Sequence, residues 1–177
     1  DAEHFSAASL SHSASHTISL YSFSKAYGFA GWRVGYMLVP ADLTAALRKI
    51  QDTVLISPPI ISQLAALGAL QADSSYLQTH LNEIKSSRTL CLQALNSSGV
   101  LLQEARSEGA FYIFAQIQSQ RSDLDTVHHL IREHAVATIP GSAFAKAGYL
   151  RISYGALTAQ NVEVGMQRLI EGLQQLA

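Results

Sequence analysis

The chain has 177 residues, 48% of them hydrophobic and 14% charged, so it can bury a core and is not a disordered chain. Twelve Lys and Arg against thirteen Asp and Glu leave a formal net charge of −1, which excludes a broad basic surface for a nucleic-acid backbone. The single cysteine, Cys91, rules out an intramolecular disulfide and a cysteine-based zinc site.

The hydropathy pattern also argues against a membrane protein. Polar residues interrupt every apolar stretch well short of the roughly 20 residues that cross a bilayer. The start of the chain has no basic segment followed by an apolar core, as a secretory signal would have. A lone cysteine fits a reducing compartment. We therefore predict a soluble, cytoplasmic protein that binds neither a membrane nor nucleic acid.

The first part of the chain predicts a loop followed by two strands and a short helix. Residues 1–16 are rich in serine and have no hydrophobic periodicity, so we interpret them as a connecting loop whose upstream partner is absent. β-rich runs at 17–21 and 32–39 predict strands, the second ended by a proline. Asp42 then suits the N-cap of a short helix.

Two further helices are predicted in the middle of the chain. After a proline pair, apolar residues recur at helical spacing over residues 60–70, which predicts a mostly buried helix. Asp73 or Ser74 can cap a long amphipathic helix that ends near Gly99. No repeat or low-complexity linker appears, so we place any domain boundary in this long helix, near residues 73–99.

The last part of the chain alternates between short strands and helices. Its predicted elements are a strand at 110–114, a helix at 123–134, strands at 136–139 and 149–154, and a closing helix at 162–176. This order predicts a mixed α/β fold that ends in an α+β unit.

The chemically dense segment is residues 22–36, SFSKAYGFAGWRVGY. Lys25 closely follows a predicted strand, with serine hydroxyls beside it and Arg33 beyond two glycines. A desolvated amine beside a cation is more often neutral, and a neutral amine attacks a carbonyl to form a Schiff base. Arg33 supplies that cation and a planar fork suited to phosphate. Tyr27 and Trp32 are expected to pack this loop.

This segment resembles the cofactor-lysine signature of the fold-type I pyridoxal-phosphate aminotransferases, the aspartate aminotransferase superfamily. The matching positions are Ser22, Ser24, Lys25, Gly31, Arg33 and Gly35. The resemblance implies that Lys25 forms a Schiff base with pyridoxal 5′-phosphate and then moves a proton between the substrate α-carbon and the cofactor. It also implies that Ser22, Ser24 and Arg33 hold the cofactor phosphate, a role that suits hydroxyl donors and a guanidinium.

The resemblance extends over almost the whole chain. It includes Ser57-Pro58 with Ser62-Gln63, the run 109–112, and the run 140–144 followed by 149–153. The last pair resembles the segment that bears the substrate-carboxylate arginine, which implies that Arg151 binds the α-carboxylate of the amino acid. Taken alone, an arginine in a strand is more often a structural ion-pair member. Tyr112 and Phe144 are expected to be core or pocket-wall residues.

The family resemblance also implies a domain organisation. The fold would be α/β, the C-terminal part of the pyridoxal-phosphate-dependent transferase fold type I. Residues 1–73 would be the C-terminal part of the large cofactor-binding domain, and residues 74–177 the small domain, with helix 74–98 as connector. The family's other cofactor-binding residues lie upstream of the lysine, and Asp1 is too close to Lys25 to be the aspartate that pairs with the pyridinium. We therefore expect a C-terminal fragment, inactive alone, of a homodimeric enzyme.

The predicted activity is transfer of an amino group from an L-amino acid to a 2-oxo acid. Two alternatives remain open. The same scaffold supports elimination and decarboxylation, which the lysine segment does not distinguish. An aminotransferase-like domain can also serve as the non-catalytic, effector-binding part of a regulator.

Two other motifs have weaker support. Ser22 and Lys25 also match the Ser-x-x-Lys of penicillin-binding proteins and β-lactamases, where Ser22 would be the acylated nucleophile. That function needs a Ser-Asp-Asn-like element and a secreted protein, and the sequence offers neither. His12 and His16 are spaced as a metal-binding pair on a helix, yet the stretch around them lacks a carboxylate as third ligand. We predict no metal site.

Overall fold

Strands and helices alternate along the chain as the hydrophobic patterns predict, which confirms the α/β class. The computed structural model describes residues 3–155 and 157–177. Their contacts divide into two units, residues 3–78 and residues 79–177. Among the described residues, no helix is both long enough and apolar enough to cross a membrane.

The first unit is built on an antiparallel hairpin. Strand β1 (Ser19–Ser22) pairs with β2 (Gly35–Leu38), and the short helix α1 (Phe23–Ala26) lies between them in sequence. Gly35 lies opposite Ser22, where a Cβ would stand 2.5 Å from the carbonyl oxygen of Tyr21. Only glycine therefore lets the two strands approach so closely at this end of the hairpin.

Two helices complete this unit, and the structure corrects two predictions about them. Helix α2 (Thr44–Val54) has Leu43 at its N-cap without a side-chain cap bond, because Asp42 lies in a preceding 3₁₀ turn. Helix α3 (Ile60–Gln71) buries only Ser62 and Ala66. Its larger apolar side chains are 50–68% exposed, so the prediction of a mostly buried helix is wrong for the described residues. Their periodicity indicates an apolar face, but no described residue of this unit covers that face.

The second unit is a three-stranded antiparallel sheet with helices. Its elements, with the helix that leads into it, are α4 (Ser75–Ser97), β3 (Tyr112–Gln116), α5 (Asp123–His134), β4 (Ile139–Pro140), β5 (Tyr149–Ser153) and α6 (Ala159–Gln174). The strand order is β3–β5–β4. Asp73 accepts a hydrogen bond from the Ser75 amide at 2.9 Å, as expected of a cap for α4.

The two faces of this sheet have different environments. Alternate residues of β3 and β5 are buried in the core, which also contains apolar side chains of α4, α5 and α6. The buried strand residues are Ile113, Ala115, Leu150 and Ile152. The intervening residues, including Arg151, lie on the opposite face and are half-buried or exposed. The alternation of a β-strand therefore places Arg151 outside the core while Leu150 and Ile152 anchor it.

The glycine that follows β4 provides a test of packing. A Cβ on Gly141 would collide with the carbonyl oxygen of Lys146 and lie 2.6 Å from the Cβ of Tyr149. Because backbone atoms must move to make room, Gly141→Ala should lower the free energy of unfolding by about 1–3 kcal/mol. Urea unfolding followed by circular dichroism measures this change.

The matched control for Gly141 is Gly165, which lies inside α6, where an added Cβ would have no atom within 4 Å. Gly165→Ala should raise the free energy of unfolding by about 0.5–1 kcal/mol, because alanine loses less backbone entropy in a helix. Equal effects of the two substitutions would contradict the packing described for Gly141.

The buried thiol of Cys91 provides a second test. Cys91 is 1% exposed on α4, and desolvation raises the pKa of its thiol to about 11. Since the thiolate is the reactive form, Cys91 should be alkylated by iodoacetamide at about pH 8 only as fast as the protein unfolds. Mass spectrometry of the Cys91 peptide, with and without urea, measures the rate. Native-state alkylation at the rate of an exposed cysteine would contradict the burial.

Candidate active site

The lysine segment begins where β1 ends. Helix α1 has four residues, and Ser22 is its N-cap, whose Oγ accepts a hydrogen bond from the Ser24 amide at 3.1 Å. Lys25 lies in the last turn of this helix and is exposed, while Ser24 is half-buried. Ser22, Ser24 and Lys25 are thus brought together within one helical turn by a serine cap, which is a favourable start for a helix.

An aromatic cluster holds this turn in place. Phe23 is 3% exposed, and its ring centroid lies 5.4 Å from that of Tyr27, 6.3 Å from Phe29 and 5.6 Å from Tyr36. Trp32 contacts Phe29 at 5.6 Å. Tilted aromatic pairs at these distances are favourable beyond the area that they bury. The prediction that Tyr27 and Trp32 pack the loop is confirmed, and Phe23, which the sequence pattern did not single out, is the centre of the packing.

Arg33 ends the 3₁₀ turn that precedes β2. Its backbone is left-handed, with φ of 52°, and its Nη1 donates a hydrogen bond to the carbonyl oxygen of Ala30 at 2.8 Å. The side chain is exposed, and no carboxylate among residues 3–155 and 157–177 forms an ion pair with it. The remaining guanidinium N–H groups can therefore bind an external anion.

These residues fit the phosphate group of a cofactor. The Ser24 hydroxyl makes no hydrogen bond to a described residue, and Arg33 has no acidic partner there. Hydroxyls and a guanidinium without a competing carboxylate are suitable donors for a phosphate dianion. The amine of Lys25, three residues beyond Ser22, is of the type that bonds covalently to a carbonyl cofactor.

Arg151 lies in a second cluster, in the unit 79–177. Its guanidinium carbon is 4.9 Å from the ring centroid of Tyr112 and 5.5 Å from that of Phe144. No described carboxylate forms an ion pair with it, and its buried Nε has no hydrogen-bond partner among the described residues. The two aromatic faces therefore stabilise the charge without neutralising it, which leaves the guanidinium able to bind a carboxylate.

The aromatic residues around Arg151 come from two parts of this unit. Tyr112 and Phe114 belong to β3, where Phe114 is the direct cross-strand neighbour of Arg151. Phe144 ends a 3₁₀ turn, Gly141–Phe144, and its ring meets that of Phe114 edge-on at 5.9 Å. The sequence predicts Tyr112 and Phe144 as core or pocket wall, and their contact with Arg151 was missed. The alternation of side chains along β3 predicts that Tyr112 and Phe114 share one face of the strand. It does not predict the register of β3 against β5, which places these rings beside Arg151.

The backbone at His12 separates the two histidines whose spacing suggests a metal-binding pair. His12 has a left-handed backbone and precedes a 3₁₀ turn, so His12 and His16 do not lie on one α-helix. Within the part of the chain that the structure describes, no three His, Cys, Asp or Glu residues lie where they could hold a metal ion.

Comparison with known proteins identifies the family of this chain. The family model for aminotransferase class I and II matches residues 2–169. An aromatic aminotransferase of Arabidopsis thaliana, ISS1, is 34% identical over 91% of this chain and 42% of its own length. An aspartate aminotransferase of Thermotoga maritima is 33% identical over 87% of this chain and 37% of its own length.

Solved structures agree as well. The aromatic aminotransferase of Pyrococcus horikoshii superposes with a TM-score of 0.88 at 32% identity, over 99% of this chain and 48% of that protein. The chain thus spans less than half the length of these relatives. Its fold is part of the fold-type I architecture, as the resemblance implies. With the family model matched across nearly the whole chain, this protein belongs to the class I and II aminotransferases.

Proposed function

We propose that the full-length protein transfers an amino group from an L-amino acid to a 2-oxo acid, with pyridoxal 5′-phosphate as cofactor. The observation that carries this proposal is the half-buried guanidinium of Arg151, which has two aromatic neighbours and no described carboxylate partner. A cation in this state is suited to the one group that all amino acids and 2-oxo acids share, the carboxylate at C1. The names of the relatives, aromatic and aspartate aminotransferases, support the same activity.

In this proposal the residues of the first unit bind the cofactor. Ser22, Ser24 and Arg33 bind the phosphate and so orient the cofactor ring. When bound, pyridoxal phosphate supplies an electron sink for the bond broken at the substrate α-carbon. Lys25 would hold the cofactor through its aldehyde group and, once displaced by substrate, would accept the proton from the substrate α-carbon as general base. The Lys25 amine would thus carry the proton within the site during the half-reaction, which also consumes one water to release the 2-oxo acid.

The substrate side is proposed for Arg151. Its guanidinium binds the α-carboxylate with paired hydrogen bonds and so fixes the orientation of the α-carbon. The aromatic faces of Tyr112 and Phe144 keep the guanidinium from adopting other positions. Orientation is important because the bond to be broken must be aligned with the cofactor's π system.

The domain organisation is part of the same proposal. We propose that residues 1–73 belong to the large cofactor-binding domain and residues 74–177 to the small domain, connected through helix 74–98. Several apolar side chains of residues 3–78 are exposed, among them Leu20, Val54 and Ile56 at 74–78%. Their exposure favours the proposal that other parts of a large domain cover this unit. A cytoplasmic homodimer is proposed from the family resemblance.

Replacement of the lysine is the first test. In the full-length protein, Lys25→Ala should lower the rate of half-transamination by about 10²–10⁴-fold, because the proton carrier at the α-carbon is lost. Borohydride should fix the cofactor to the Lys25 peptide of the wild type, and this adduct should vanish in the variant. The exposed Lys49 on α2 offers a control, and Lys49→Ala should keep both properties. An adduct that persists in Lys25→Ala would refute the assignment.

Removal of the arginine is the second test. Arg151→Ala should weaken the binding of the amino-acid substrate by about 2–5 kcal/mol, because a partly desolvated charge pair is lost. The amine that lacks only the carboxylate should bind equally to the variant and the wild type. Arg168→Ala, an exposed arginine on α6, is the control and should change neither value. Steady-state kinetics measure the binding of the amino acid, and competition experiments measure that of the amine. Unchanged amino-acid kinetics in Arg151→Ala would contradict the proposed role.

A further inference from the structure

We propose that Asp123 is a positioning residue for Arg151, acting through the turn that carries Phe144. The inference rests on the proposed function, because it concerns the arginine assigned there to the substrate carboxylate. The hydrogen bonds of the Asp123 carboxylate go to backbone amides and reach neither Arg151 nor Phe144, so its action would be indirect.

Asp123 is a buried acid with an unusual set of partners. It is the first residue of α5 and is 5% exposed. Its Oδ2 accepts a hydrogen bond from the Ser142 amide at 2.6 Å, and its Oδ1 accepts one from the Leu124 amide at 3.1 Å. No described Lys, Arg or His forms an ion pair with it. Backbone amides and the α5 N-terminus therefore stabilise its charge.

The bond to Ser142 connects helix α5 to the turn before β5. Ser142 is in the 3₁₀ turn Gly141–Phe144, whose first amides have no partner within the turn itself. On the other side, the turn lies against Tyr149, since a Cβ at Gly141 would stand 2.6 Å from the Tyr149 Cβ. The Lys146 amide closes the turn by donating to the Gly141 carbonyl at 2.9 Å. The turn is therefore held by the pairing of β4 with β5 just before it, by packing against Tyr149 and, on the α5 side, by the Asp123 carboxylate.

The position of this turn determines where the Phe144 ring lies. Phe144 is 48% exposed, so core packing does not hold it. Its ring contacts Phe114 at 5.9 Å and the Arg151 guanidinium at 5.5 Å. If the turn shifts, one of the two aromatic faces beside Arg151 is lost, and only Tyr112 remains. The guanidinium would then sample more rotamers and bind a carboxylate less tightly.

Asp125 provides a matched control for this chain of contacts. It is in the same first turn of α5, where the Ser122 hydroxyl donates to its Oδ2 at 2.6 Å. Asp125 thus resembles Asp123 in charge and in position at the helix N-terminus, but it makes no hydrogen bond to the 141–144 turn. If carboxylate affinity falls only because α5 is weakened, it should fall in both Asp123→Ala and Asp125→Ala. If Asp123 positions the turn, it should fall in Asp123→Ala alone.

The experiment measures carboxylate binding to the full-length, cofactor-loaded protein by isothermal titration calorimetry, with succinate and 3-phenylpropanoate as non-reacting probes. The measurement uses whichever of the two probes binds the wild type. Asp123→Ala should raise its dissociation constant about tenfold, and the KM of the amino acid should rise similarly. Asp123→Asn keeps an oxygen acceptor for Ser142 and should recover most of the affinity. Asp125→Ala should bind as the wild type does. For a substrate amine without a carboxylate, none of these variants should change the affinity.

Each other outcome contradicts the proposal. Wild-type affinity in a folded Asp123→Ala variant, or an equal loss in Asp125→Ala, would show that Asp123 has no positioning role. If Asp123→Ala does not fold, Phe144→Leu carries the test, since Phe144 is half-exposed. Phe144→Leu should weaken carboxylate binding, and unchanged affinity would overturn the inference. Failure of the proposed function is distinguishable, because wild-type protein would then neither transaminate nor bind either probe.

Discussion

The antiparallel pairing of β3 with β5 is the constraint on which the second unit depends. Phe114 faces Arg151 across this pair, and the neighbouring positions Ile113 and Ile152 face the core. One register therefore sets both the packing of the unit and the aromatic surroundings of its arginine. A slip by one residue would move Arg151 into the core and the isoleucines to the surface. The stability of the core thus protects the geometry of the site.

The two units differ in how much apolar surface they bury. Residues 79–177 bury a continuous apolar core from the strands and helices of that unit. Residues 3–78 bury little beyond Phe23, Pro40, Ala66 and small polar side chains, yet the aromatic rings around Phe23 still order the lysine segment. A two-stranded hairpin is only marginally stable by itself. Local aromatic packing and a serine cap are therefore sufficient to shape the segment, while the wider apolar surface of this unit is left exposed.

The charged groups of the second unit show how a fold can keep a cation available. Arg151 is stabilised by aromatic faces, which attract a cation and do not compete for its hydrogen bonds. Asp123, the buried acid of the same unit, is satisfied by backbone amides instead. If these two residues were paired with each other, their charges would neutralise one another. The guanidinium could then no longer bind an external carboxylate. The separation of the buried acid from the half-buried cation is therefore a property of this site.

The sequence by itself predicted the longer helices and the strands in their order, the bounds of α5 and the presence of the lysine segment, because these depend on local periodicity, caps and short motifs, but it did not predict α1. It also identified Lys25 and Arg33 as candidates by residue type and spacing, and Arg151 through the family resemblance. The environment of α3 did not follow from its pattern, since an apolar face is buried only where another layer covers it. Only the tertiary structure decided that Tyr112 and Phe144 flank Arg151 and that Asp123 holds the intervening turn. Those contacts join residues of different elements, and strand register and turn packing, rather than local propensity, bring them together.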